Sequence, residues 1–113
     1  MMNFDTVELE NGITKVVLSG RMDIEGASAV DLKFSVLAGA KKRIAVDLTD
    51  VSFMASMGIR TLMLSAKAAV NKGGKMVLVN PQPSVEKVLR TTGVDTIMPI
   101  VPTIDEASRI LAA

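Results

Sequence analysis

The sequence predicts an α/β fold, a mostly parallel sheet of about five strands with an antiparallel edge strand and four helices, and three observations carry that prediction. Short β-branched and aliphatic runs alternate with segments whose apolar residues recur at helical spacing. The breaks between them fall at Gly, Pro or small polar residues. The run Ile44-Ala45-Val46-Asp47-Leu48 is almost continuously apolar, as expected of an inner parallel strand covered by helices.

Taken in order, Thr6–Leu9 and Ile13–Leu18 flank Glu10-Asn11-Gly12 and read as a hairpin ending at Ser19-Gly20. The first hairpin strand runs antiparallel to the rest and gives the sheet a mixed edge. Between Ala27 and Ala38, the apolar residues Val30, Phe34, Leu37 and Ala38 mark a first helix, with Gly39 as its expected stop. After the strand Ile44–Leu48, a loop is expected over Thr49–Ala55. Ile59, Leu62, Met63, Ala66, Ala69 and Val70 then form the stripe of a second helix, broken at Gly73-Gly74. Met76–Val79 reads as a strand, and Val85, Val88 and Leu89 mark a third helix after Pro81 and Pro83, closing at Gly93. A short strand is expected over Ile97–Val101. Thr103 and Glu106 have the spacing of a capping box ahead of Ala107, Ile110 and Leu111, a fourth short helix. No repeat, linker or low-complexity tract interrupts this order, so residues 1–113 are expected to form a single domain. Right-handed crossovers lay the strands side by side. Binding residues are then expected on loops beyond the strands' carboxyl ends: Gly20–Gly26, Thr49–Ser56 and Asn80–Ser84.

Composition narrows the chemistry. The chain is 49% hydrophobic and 22% charged, and its 13 basic and 12 acidic residues leave a net charge of +1. Such a balance gives no electrostatic reason for direct nucleic-acid or anionic-membrane binding, and Lys41-Lys42-Arg43 reads as a solvated turn. With three Phe, no Trp and no Tyr, the core is aliphatic and eight Met help to fill it. The absence of His and Cys removes the imidazole base of serine or cysteine hydrolases, thiolate and imidazole metal ligands, and disulfides. The pairs Asp23/Glu25, Asp47/Asp50 and Asp105/Glu106 read as caps and solvated faces, and Gly73-Gly74-Lys75 lacks the phosphate-loop pattern. No catalytic residue, metal site or cofactor is therefore expected. The acidic start MMNFDTVELENG lacks signal-peptide regions, and no stretch reaches the roughly 18 apolar residues of a membrane span. A cytoplasmic location is expected.

Ser56 precedes the second helical stripe, and two readings of it stand. It is a helix N-cap, although Ile59 occupies the capping-box position. Or it is a phosphate acceptor, because the free N–H groups and dipole of a helix start favour an anion. The neighbours Phe53, Met54, Ala55 and Met57 are apolar. Phe53 is expected in the core, whereas Met54 and Met57 fit either core packing or an adaptable docking surface.

The segments VVLSGRMDIEGA (16–27), IAVDLTDVSFMASMGIRTL (44–62), KMVLVNPQPSVEKVL (75–89) and TTGVD (91–95) span nearly the whole chain. Together they resemble the STAS domain, shared by bacterial anti-sigma-factor antagonists and the cytoplasmic ends of sulphate transporters. The length resembles the free-standing antagonist branch. In that family the loop before the second helix reads Asp-Ser-Ser/Thr-Gly, and an anti-sigma factor that is also a kinase phosphorylates the first serine. Ser56 holds that position. The resemblance implies that the unphosphorylated chain binds the anti-sigma factor and frees a sigma factor, that phosphorylation of Ser56 breaks the complex, and that a serine phosphatase restores it. It also implies a partner-binding surface of Asp23, Met54, Ala55, Ser56, Met57 and Gly58. Ala55 and Met57 depart from the family pattern: the missing carboxylate removes like-charge repulsion against a phosphate and also a polar contact to a kinase. An apolar loop equally suits a constitutive accessory or scaffold subunit of a membrane transport, lipid-trafficking or signalling complex.

Overall fold

The computed structural model describes residues 2–113. Five strands lie in the order β1 (Asn3–Glu8), β2 (Thr14–Met22), β3 (Arg43–Met54), β4 (Lys75–Val79) and β5 (Ile100–Val101). β1 pairs antiparallel with β2 and every other pairing is parallel. The helices are α1 (Ile24–Ala40), α2 (Ser56–Asn71), α3 (Pro83–Thr91) and α4 (Ile104–Ala112). The α/β architecture read from the sequence, with its antiparallel edge and four helices, is the one observed.

The parallel strands explain where the core sits. Val16, Leu18, Ile44, Val46, Leu48, Met76 and Leu78 point to one face and are buried under Val30 and Phe34 of α1, Leu62 and Ala66 of α2, and Val85 and Leu89 of α3. Ile13, Ala45, Val77 and Val79 point to the other face, where Ala107 and Leu111 of α4 cover them. Side-chain alternation along each strand is what divides these two sets. Phe34 meets Phe4 of β1 edge to face, with centroids 5.0 Å apart. This aromatic contact ties the antiparallel edge strand to α1. Buried Thr14 donates its hydroxyl to Glu8 at 2.8 Å, so its polar group is satisfied at the hairpin.

Several element boundaries differ from expectation: β1 begins at Asn3, ahead of Thr6, β2 runs past Ser19-Gly20 to Met22, and three further elements differ as well. The residues expected to form a loop after Leu48 continue β3 as far as Met54, because β2 runs alongside to Met22 and keeps pairing with it. The register shifts between Val17 and Ser19 and again between Gly20 and Arg21. These irregularities break the two-residue alternation by which a strand is read from sequence. Gly20, at φ 112°, supplies a backbone conformation there that other residues rarely adopt. Helix α1 begins at Ile24, capped by Asp23, and passes through Gly39 to Ala40. One glycine costs a helix only about 1 kcal/mol, less than the burial of neighbouring Ala38 and Phe34 returns. The strand expected over Ile97–Val101 is reduced to Ile100–Val101, preceded by a 3-10 turn at Val94–Thr96 whose Val94 and adjoining Met98 are buried. The Lys41-Lys42-Arg43 turn is anchored by a Lys41–Glu8 ion pair at 3.6 Å and by Arg43 donating to the Leu111 carbonyl at 3.1 Å.

Candidate functional site

β2 and β3 end level with one another, Met22 beside Met54, and each chain turns into a helix after a single residue. Asp23 and Ala55 are those residues. The Ala55 N–H donates to the Met22 carbonyl at 2.9 Å, so the two strand-to-helix turns are joined through the backbone. Gly58, in the first turn of α2, makes the join possible: a Cβ there would stand 2.3 Å from Met22 Cγ and 2.7 Å from Met54 Sδ.

Asp23 caps α1. Its Oδ1 accepts from the Gly26 N–H at 2.8 Å, and Oδ2 lies 3.6 Å from Arg21 Nε. The backbone N–H of Gly26 first, and the Arg21 guanidinium after it, hold the carboxyl below its ordinary range and keep it ionised. Arg21 in turn stacks over the ring of Phe53, 4.4 Å from its centroid. The expectation that Phe53 lies in the core is therefore corrected. On the bulged end of β3 its ring points outward and stays 39% exposed beneath the guanidinium.

The N-cap of α2 is Ala55, and Ser56 is the first helical residue. The N-cap reading of Ser56 is thus corrected by one position: its hydroxyl is exposed and makes no capping bond. The first turn of α2 holds no acidic residue and no side-chain acceptor for its leading N–H groups. It is open to an anion on its polar, dipolar and steric merits. Arg60, one turn along, is exposed and has no ion-pair partner among the described residues.

The two methionines divide. Met54 is 3% exposed and belongs to the core, whereas Met57 is 38% exposed at the surface. Gly58 is buried as well, so Met54 and Gly58 support the surface from below, and Asp23, Ser56 and Met57 are presented on it. Beside Met57 a groove between α1 and α2 is lined by Ser28, Asp31, Arg60 and Thr61. There the Thr61 hydroxyl lies 3.1 Å from Asp31 Oδ1 and 3.2 Å from the Met57 carbonyl oxygen. Arg21, Arg60 and the Asp31–Thr61 pair carry no sequence signal of their own, and Phe53 reads from sequence as a core residue. The parallel register of β2 and β3 is what brings Arg21 to Phe53, and only a correct strand length could have revealed it.

A strand-ordered α/β sheet with one antiparallel edge and a paired strand-to-helix site matches a known class. The STAS domain family model matches residues 6–107, and the chain belongs to that family. An anti-sigma F factor antagonist of Paenibacillus polymyxa is 29% identical over 98 residues, covering 83% of this chain and 84% of that one. Among solved structures, a candidate anti-sigma factor antagonist of Thermotoga maritima shares 25% identity with a TM-score of 0.89, over 97% of this chain and 95% of its own. The anti-sigma factor antagonist SpoIIAA in its unphosphorylated form shares 25% identity with a TM-score of 0.80, over 96% of each chain. Phosphorylated SpoIIAA, from Bacillus, has the same fold at a TM-score of 0.73. No described helix is long and apolar enough to cross a membrane.

Proposed function

We propose that this chain is an anti-sigma-factor antagonist: a regulatory and non-catalytic module that binds an anti-sigma factor kinase, releases a sigma factor, and is switched off by phosphorylation of Ser56. The observation that carries this reading is the exposed, uncapped Ser56 at the start of α2, joined through Ala55 and Met22 to the Asp23 turn. The similarity to antagonists, one of them known with and without phosphate, supports an anti-sigma factor as the partner and is consistent with control by phosphorylation.

The physical sequence of the switch follows from the site. In the unphosphorylated chain, Met57 and the Arg21–Phe53 stack offer an apolar and cationic surface beside the ionised Asp23. A phosphoryl group on the Ser56 oxygen adds about −1.5 to −2 charges and three acceptor oxygens. The free N–H groups of α2 stabilise that charge, so the fold accepts it without rearrangement. The docked partner does not: a bulky dianion now stands where an apolar contact was made. A serine phosphatase returns the surface to its binding form.

Incubation with the cognate anti-sigma factor and ATP, followed by mass-spectrometric mapping of phosphate, tests this reading. Phosphate on Ser56 supports it. A chain that binds the anti-sigma factor but carries no phosphate after exhaustive incubation shows a constitutive binder, the reading favoured by Ala55 and Met57. Co-purification with a transporter subunit in place of a kinase refutes the antagonist role.

A further inference from the structure

Helix α1 is apolar on two sides. Gly26, Ala27, Val30, Phe34 and Ala38 are buried against the sheet, and Asp31 turns to α2. Leu32 and Val36 stand opposite the sheet and Ile24 on the flank, exposed by 73, 64 and 67%. α1 packs against the sheet and against α2, and neither contact covers Leu32 and Val36, so the core does not account for this second apolar face. Leu32 is the most exposed large hydrophobic residue among those described, and it is the middle residue of the 17 in α1.

That centring makes the face complementary to itself. When a second copy lies antiparallel with Leu32 on the two-fold axis, residues equidistant from Leu32 meet: Ser28 faces Val36, and Glu25 faces Gly39. Each pair sets a small residue against a larger one, the condition for ridges to enter grooves. Phe4, Leu32, Val36, Leu37 and Lys33 border an apolar recess of about 340 Å³, open to solvent, beside that axis. Symmetry makes the contact reciprocal.

Charge favours the same direction. The start of α1 is acidic, with Asp23 and Glu25, and its end is basic, with Lys41, Lys42 and the Lys72 ammonium bonded to the Gly39 carbonyl oxygen. Antiparallel packing places Glu25 beside Lys72 and Lys42 of the second copy, whereas parallel packing sets like charges together. None of Glu25, Lys42 and Lys72 has an ion-pair partner within its own chain among the described residues. We propose that the outer face of α1 is the interface of a symmetric antiparallel homodimer. A contact confined to one helix face is small, so the dimer is expected to be weak and concentration-dependent. The proposal does not rest on the Ser56 switch, although Ser28 and Glu25 adjoin the surface on which Asp23 and Met57 stand.

Sedimentation equilibrium of the full chain from about 10 μM to about 1 mM is expected to show monomer and dimer in exchange. Leu32→Glu is expected to weaken dimerisation at least about tenfold, with an unchanged thermal midpoint in dilute solution. Leu64→Glu, on an exposed position of α2, is expected to leave the equilibrium as it was. Because the chain has no Cys, Leu32→Cys creates a single thiol close to the axis, within the roughly 7 Å Cα separation a disulfide needs. It is expected to oxidise to a covalent dimer much faster than Val70→Cys, a control on α2. A chain that stays monomeric at about 1 mM, a Leu32→Glu variant that dimerises like the wild type, or equal oxidation at both positions overturns the proposal.

Discussion

Substitution of Gly58 by Ala probes how the site is assembled. The new methyl carbon would stand 2.3 Å from Met22 Cγ, 2.7 Å from Met54 Sδ and 3.0 Å from the Met22 carbonyl oxygen. Ordinary contacts lie at about 3.5–4.0 Å, so the two methionine side chains must repack by about 1 Å. Methionine can do that, but the carbonyl oxygen is held by the Ala55 N–H at 2.9 Å and has less freedom. Overpacking of this kind costs about 1–3 kcal/mol, against a gain of at most about 1 kcal/mol from replacing a helical glycine. Against the full glycine gain, the balance is a loss of up to about 2 kcal/mol, or a fall in Tm of up to about 10 °C for a domain of this size. Thermal unfolding followed by circular dichroism measures the first effect. Amide hydrogen exchange at Ala55 measures the second, because the strain concentrates on the bond joining the two turns. A midpoint at or above wild type, with Ala55 exchange unchanged, would refute this account of the packing.

Two further substitutions read the caps. Ala55→Asp supplies the missing side-chain acceptor at the start of α2, at a residue whose φ of −104° and ψ of 171° suit an N-cap. It is expected to stabilise the chain by about 1 kcal/mol and raise Tm by several degrees, and thermal melts showing no gain would contradict the uncapped state. Asp23→Asn keeps a capping oxygen but removes the charge. Because the folded-state pKa of Asp23 is depressed from 3.8, its contribution is present above that value and is lost as pH falls through the lower folded value. Acid titration of stability is therefore expected to show a shallower loss below pH 3.8 in Asp23→Asn than in wild type, and identical acid limbs would count against the ionised cap.

Most of the architecture was legible because the parallel strands Ile44–Leu48 and Met76–Val79 are short apolar runs bounded by helical stripes. The end of β3 was not legible. Its register shifts leave Ser52 and Phe53 both exposed and only Val51 and Met54 inward, a pattern with neither a two-residue nor a helical period. That same irregularity turned Phe53 out of the core and under Arg21, a partner 32 residues away in sequence. Ser56 was legible as a helix start, but the choice between N-cap and first helical residue rests on backbone angles at Ala55. Asp23 illustrates the reverse case: an Asp before a helical stripe signals a cap, and the helix begins there once Ile24 and Glu25, which face solvent, are counted in.

The central claim is that phosphate on Ser56 controls partner binding. Its most direct test is calorimetric titration of the anti-sigma factor with the chain before and after stoichiometric phosphorylation, alongside Ser56→Ala treated identically. The account predicts tight binding by the unphosphorylated chain, at least about a hundredfold weaker binding after phosphorylation, and no change for Ser56→Ala on treatment with kinase and ATP. Equal affinity of the phosphorylated and unphosphorylated chains would contradict it.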